Sequence, residues 1–244
     1  MPEKTTIAMW SGPRNISTAL MYSFDNRNDC YASDEPLYAN FLLSTKTPHP
    51  GAEEVISSHE SDYEKVISHI TGPIPGGKKI WYQKHMSHHV PEGSNLSWLN
   101  GFTNCFLIRN PQEVLLSLSK VTKEIDLSLT GLPQQIRILD HVTENLKIDP
   151  PILDSRDILN NPRAAINALC DSIGITFSED MLSWKPGPRE CDGIWAKYWY
   201  EAVRASSGFE PFQRKTGLLN EKFEEILELA IPLYQELSER RIRI

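Results

Sequence analysis

Cysteine is scarce: four in 244 residues, at Cys30, Cys105, Cys170 and Cys191, with no CxxC pair. That spacing argues against a disulfide framework and a thiolate zinc site, and suits a reducing cytoplasm. Long hydrophobic runs are also missing. No stretch approaches the roughly 20 apolar residues that a membrane span needs. Ile7-Ala8-Met9-Trp10, with Glu3 ahead of it, is far too short for the apolar core of a signal peptide. The expectation is a cytoplasmic chain without membrane contact. Positive charge is in deficit, 25 Lys and Arg against 32 Asp and Glu, for a net charge of −7. Such a surface repels nucleic acid unless a basic patch is concentrated somewhere. Arg240-Arg241-Arg243, the one basic cluster, suits the negative end of a C-terminal helix instead. Repeats, low-complexity tracts and long linkers are absent, so the chain reads as one domain over residues 1–244.

Strands and helices alternate. Thr5–Trp10 reads as a buried strand, followed by a helix with Ile16, Ala19, Leu20 and Phe24 on one face. Further strands are expected at Cys30–Ser33, Lys78–Gln83, Thr103–Ile108 and Pro151–Asp154, with a helix over Asp62–Ile70. Pro111 opens a helix striped by Val114, Leu115, Leu118 and Val121. Asn161-Pro162 starts another, with Ile166, Leu169 and Ile173 at helical spacing and Gly174 to close it. Asn220–Arg240 is helical, with a kink expected at Pro232. The fold class is therefore α/β: a three-layer αβα arrangement around a parallel sheet of about five strands, with a helical C-terminal part. Ligands of such sheets bind beyond the carboxyl ends of the strands.

The first strand-to-helix turn, Trp10-Ser11-Gly12-Pro13-Arg14-Asn15-Ile16-Ser17-Thr18, has the makings of a phosphate site. Helix-start N–H groups and the helix dipole attract an anion there. Gly12 permits a tight turn, and Arg14 adds a fixed charge with a planar donor fork. It is not a nucleotide P-loop. The pattern G-x-x-x-x-G-K-[ST] would fall on Ser11 to Thr18, without either glycine or the lysine. Phe106-Leu107-Ile108-Arg109-Asn110-Pro111 carries a second anchor. Arg109 ends a strand, and Ser117, eight residues on, lies two turns into the next helix. The two can converge on one phosphate; the alternative is an arginine paired with a carboxylate and a solvated serine.

Together, G-P-R-x-x-S-T followed by R-N-P-x-x-x-x-x-S resembles the two-part signature of sulfotransferases that use 3′-phosphoadenylyl sulfate (PAPS). Ile152 to Gly174 is similar to that family's strand, acidic step, Pro-opened helix and closing glycine. The resemblance covers most of residues 5–184 and implies a P-loop-NTPase-like fold. It implies that Arg14, Asn15, Ile16, Ser17 and Thr18 hold the 5′-phosphate and sulfuryl group. Arg109 and Ser117 would hold the 3′-phosphate, and PAP would be the product. Asn15-Ile16 departs from the family's common Ser-Gly, and Arg214-Lys215-Thr216-Gly217 is a loose echo of its basic loop.

Sulfuryl transfer to a hydroxyl or amine needs a base and cations, with no metal required. By resemblance, Lys84 contacts the transferring group. Two residues compete as base: Glu35, 21 residues after Arg14, and His85, next to Lys84. Ser33-Asp34-Glu35 before Pro36 also reads as helix-capping chemistry. His85, His88 and His89 lie close in sequence but lack the H-E-x-x-H pattern, so no metal site is expected. Trp184, Trp195, Tyr198, Trp199 and Tyr200 read as core, with a lid or acceptor wall as the alternative. The expected partner is a small-molecule acceptor, with no nucleic acid. Rival functions are a sulfotransferase-like protein that binds without turnover, and a kinase-type phosphotransferase. The kinase lacks its lysine and shows no clear strand-end carboxylate for Mg²⁺.

Overall fold

The computed structural model describes residues 4–122 and 125–244; Glu3 lies outside them. Five strands form one sheet: β1 (Thr5–Ser11), β2 (Cys30–Asp34), β3 (Ile80–Met86), β4 (Thr103–Ile108) and β5 (Ile152–Asp154). Their order is β2-β3-β1-β4-β5, and every pairing is parallel. The helices, in chain order, are α1 (Ser17–Asp25), α2 (Tyr38–Thr45), α3 (Ala52–Ser58), α4 (Tyr63–Ile70), α5 (Pro111–Leu118), α6 (Leu132–Asn145), α7 (Ser155–Asn160), α8 (Pro162–Ser172), α9 (Ala196–Trp199), α10 (Glu201–Ala205) and α11 (Glu221–Glu239).

Alternation along the strands builds two cores. Ile7 and Met9 of β1, with Ile80 and Tyr82 of β3, meet α1, α7 and α8. Leu20, Met21 and Phe24 are wholly buried there, each worth about 1.5–3 kcal/mol of apolar burial. Ala8, Trp10, Phe106 and Ile108 face α4, α6 and α11 on the other side. A parallel sheet covered on both faces is the three-layer arrangement read from the sequence. At the far edge, the Ile242 N–H donates to Ile152 O at 2.9 Å, so the C-terminal tail lies along β5.

Several boundaries differ from the sequence reading. β3 begins at Ile80 and runs three residues past Gln83, so Lys84 and His85 lie within the strand. β2 extends to Asp34. Val121 lies beyond α5, and α11 continues through Pro232. Arg240 and Arg241 pair with Asp149 and Asp157. The helices α3 and α6 carry no expectation from the sequence, while α2 follows the Ser33-Asp34-Glu35 capping chemistry and starts at Tyr38.

Candidate active site

β1 ends at Ser11, and the chain turns sharply before α1. Gly12 is required here: a Cβ would sit 2.1 Å from the Thr130 carbonyl oxygen. Arg14 and Ile16 both take left-handed backbone angles, φ 61° and 60°, and Ile16 is the α1 N-cap without a side-chain cap bond. The turn is tied down from beneath. Asn15 Nδ2 donates to Leu107 O at 3.1 Å, and Gln135 Nε2 donates to Trp10 O at 3.1 Å. Asn15 Oδ1 is buried without a partner.

The second anchor closes on the first. Arg109 Nη1 donates to Arg14 O at 3.0 Å, and Arg14 Nε donates to Ser117 Oγ at 2.9 Å. Arg109 Nε also pairs with Glu113 Oε2 at 3.0 Å, the carboxylate pairing that the sequence offered as its alternative. Ser117 does not face solvent; it is buried. Lys215 joins this group. Burial, together with Arg109, Arg14 and Lys120 nearby, pushes its amine down to about 8. Burial and Arg109 likewise lower the Arg14 guanidinium. Four segments thus bring a surplus of positive charge to the carboxyl ends of β1 and β4. The sequence showed Lys215 only as a loose echo, because nothing local ties residues 214–217 to the turn.

A second cluster sits at the ends of β2 and β3. Asp34 and Lys84 are partners in register. Lys84 Nζ donates to Asp34 Oδ1 at 2.8 Å, to Glu35 Oε1 at 2.5 Å and to Tyr200 OH at 2.6 Å. Tyr200 donates to Asp34 Oδ2 at 2.7 Å and accepts from Trp195 Nε1 at 3.3 Å. Its oxygen also faces the Thr18 hydroxyl in the first turn of α1, which joins this cluster to the phosphate-type turn. Lys84 is 1% exposed. Burial works against its charge, but Asp34 and Glu35 outweigh it and hold its pKa above the ordinary lysine value. Burial pushes the Glu35 carboxyl up; Lys84 opposes that and Asp34 adds to it. Glu35 holds φ 38°, another left-handed residue. It does not cap α2, whose N-cap is Leu37 with no side-chain bond.

His85 is not brought to this cluster. Pleating turns it to the opposite face from Lys84. There it stacks on Trp10 at 4.4 Å and pairs with Gln83 Oε1 at 3.1 Å. Burial pushes it down to about 3, so it is neutral and 1% exposed. The histidine that does approach is His89, with Nδ1 4.0 Å from Glu35 Oε2. Its ring stacks between Tyr38 and Phe41. Among the described residues no group of three or more His, Cys, Asp or Glu is arranged to hold a metal. The aromatic set divides. Trp184 belongs to the core against α1, Tyr198 is exposed, and Trp195, Trp199 and Tyr200 pack with Tyr38 and Phe41 beside Glu35. Strand-end carboxylates exist after all, at Asp34 and Asp154. Asp34 is committed to Lys84, while Asp154 caps α7 and accepts from Tyr234 at 2.7 Å.

Among the described residues no helix is long and apolar enough to cross a membrane. Two Arabidopsis thaliana proteins named branched-chain-amino-acid aminotransferase-like protein 1 and 2 are 36% and 37% identical, over 97% and 95% of this chain. The chain spans only 42% and 41% of their length. Two solved structures share the fold. One is the sulfotransferase domain of the Synechococcus PCC 7002 olefin synthase, at 16% identity and TM-score 0.50, covering 94% of this chain and 95% of that one. The other is a sulfotransferase from Alicyclobacillus acidocaldarius, at 9% identity and TM-score 0.57, covering 98% and 97%. A family model described as a sulfotransferase domain matches residues 5–241, and the chain belongs to that family.

Proposed function

We propose that this chain transfers a sulfuryl group from PAPS to the hydroxyl of a small-molecule acceptor in the cytoplasm, releasing PAP, without a metal. The observation that carries the reading is the meeting of Arg14, Ser117, Arg109 and Lys215 from four separate segments. Burial first, and these neighbouring cations second, lower the Lys215 amine to about 8. Cations gathered this way suit a polyanion, because a bound phosphate relieves their mutual repulsion. Arg109, Ser117 and Lys215 would hold the 3′-phosphate. Arg14, Asn15, Ile16, Ser17 and Thr18 would surround the 5′-phosphate and sulfuryl group, with helix-start N–H groups free to donate.

Glu35 is the base in this reading. It takes the acceptor proton as the acceptor oxygen bonds to sulfur and the bond from sulfur to the 5′-phosphate oxygen breaks. Its raised pKa brings it nearer neutrality and makes it a better base. Lys84 and Arg14 offset the charge that develops on the oxygens. The experiment is a thermal-shift titration with PAP, ATP and GTP, followed by turnover of PAPS with a panel of acceptors. PAP should raise the melting temperature, and ATP and GTP should do so weakly or not at all. A shift by ATP alone would favour the kinase reading. PAP binding without turnover on any acceptor would favour a binding protein.

A further inference from the structure

Every polar bond at the Lys84 amine is taken. Its three N–H groups go to Asp34, Glu35 and Tyr200, so a transferring group cannot reach Lys84 until one partner leaves. Asp34 and Glu35 are fixed at the end of β2. Tyr200 lies outside the sheet, between two helices of four and five residues, α9 and α10, with its ring packed against Tyr38 and Trp195. Its hydroxyl is also fully used, accepting from Lys84 and Trp195 and donating to Asp34.

The position of that oxygen is telling. It is 2.6 Å from Lys84 Nζ and 3.4 Å from Glu35 Oε1, and it faces Thr18 at the head of α1. An acceptor hydroxyl must lie in that same place, within reach of base, lysine and donor-binding turn. We propose that the Tyr200 phenol holds the acceptor-hydroxyl position in the resting protein and keeps water off Glu35 and Lys84 until the acceptor displaces it. This rests on the sulfotransferase reading above.

The guarded side reaction is hydrolysis. A water in that position would give its proton to Glu35. Its oxygen would bond to sulfur, the sulfur–oxygen bond to the 5′-phosphate would break, and sulfate and PAP would leave. Excluding water from a closed site suppresses such leakage. Tyr200 does not itself accept the group: its proton points at Asp34, and burial with two carboxylates nearby holds the phenol well above its usual pKa. It is a gating residue with the wrong proton geometry for transfer.

The test uses purified protein with PAPS and no acceptor, measuring PAP release from wild type, Tyr200→Phe and Trp195→Phe. PAP affinity is measured alongside by calorimetry. Tyr200→Phe keeps the ring and removes the hydroxyl, so acceptor-free release should rise on the order of 10-fold as water enters. Trp195→Phe removes the N–H that holds the phenol, together with part of a buried ring, while leaving the Tyr200 hydroxyl present, and should give a smaller rise. Tyr200→Phe or Trp195→Phe protein that binds PAP normally, yet releases it no faster than wild type, would overturn the proposal. A merely structural tyrosine would lower release rather than raise it. If wild type does not bind PAP at all, the donor reading fails first and this role fails with it.

Discussion

Two carboxylates share one lysine at the ends of β2 and β3, which leaves one negative charge in excess in a buried place. Asp34 also bonds Lys84, and in the proposed reaction Glu35 is the carboxylate that takes the acceptor proton. Glu35→Gln should therefore lower kcat by about 10²–10⁴-fold, the usual loss for a general base, while PAP affinity stays close to wild type. Steady-state kinetics at saturating PAPS check both. As the proposed base Glu35 would act only when ionised, and burial raises its pKa. Wild-type kcat/KM should thus fall on the acid side at a pH above the ordinary carboxylate range. In the proposed reading Lys215 sets the alkaline side of donor binding. With its amine at about 8, it is charged below that pH and neutral above. PAP affinity should weaken as pH rises from 7 to 9, and Lys215→Gln should remove that dependence in calorimetric titrations. Glu35 was a candidate in the sequence through the family resemblance, by its distance from Arg14, and the structure places it against Lys84. Tyr200 was legible only as one of several aromatics, because its partners are 116 and 166 positions away.

Among the elements, the turn between β1 and α1 stores strain at two non-glycine residues, at a cost of about 1–3 kcal/mol each. Packing of Ile16 against the core and the Arg109 bond to Arg14 O hold it in shape. Gly12 is the point of closest approach. Gly12→Ala should cost about 1–3 kcal/mol of stability, because the Thr130 backbone must move, and should weaken PAP binding in the same protein. Urea melts and calorimetry would show the two losses together; an unchanged affinity would separate this turn from the donor. The strands β1, β4 and β5 were readable as apolar runs. β3 was cut short because Lys84 and His85 look like a strand's polar end. Two carboxylates and a tryptophan face, all distant in sequence, make them acceptable inside. The α2 sequence Tyr38–Thr45 contains no charged residue, so it has no two-faced pattern to read. α6 hides its stripe by placing Gln135 in the buried row, where it holds the carbonyls of Trp10 and Leu107.

At the level of the whole molecule, three neutral imidazoles lie inside, with His85 and His89 buried and His88 half-buried. His85 and His88 are pushed by burial to about 3, and His89 well below its usual value. The unfolded chain protonates these groups near pH 6.5 and the folded one does not. Their contribution is complete above that pH and is lost as pH falls toward 3. At pH 5.5 the loss is about 1 kcal/mol for each histidine. Glu35 works in the opposite sense, since its raised pKa adds stability as pH falls through it, and so offsets part of the loss. Denaturant midpoints should fall between pH 7.5 and 5.5, and His88→Gln should flatten that slope by roughly a third. The parallel three-layer plan was readable because it follows from local alternation, whereas the meeting of cations at the donor turn follows from the sheet order. That order has one more consequence. On its outer side β5 already accepts a backbone bond from the tail, Ile242 N–H to Ile152 O. Strand-by-strand polymerisation needs two vacant edges per copy, one to receive and one to offer. With that bond already made on the three-residue β5, copies that pair through β2 meet a poor edge on the far side, so this sheet should resist growth as a fibre.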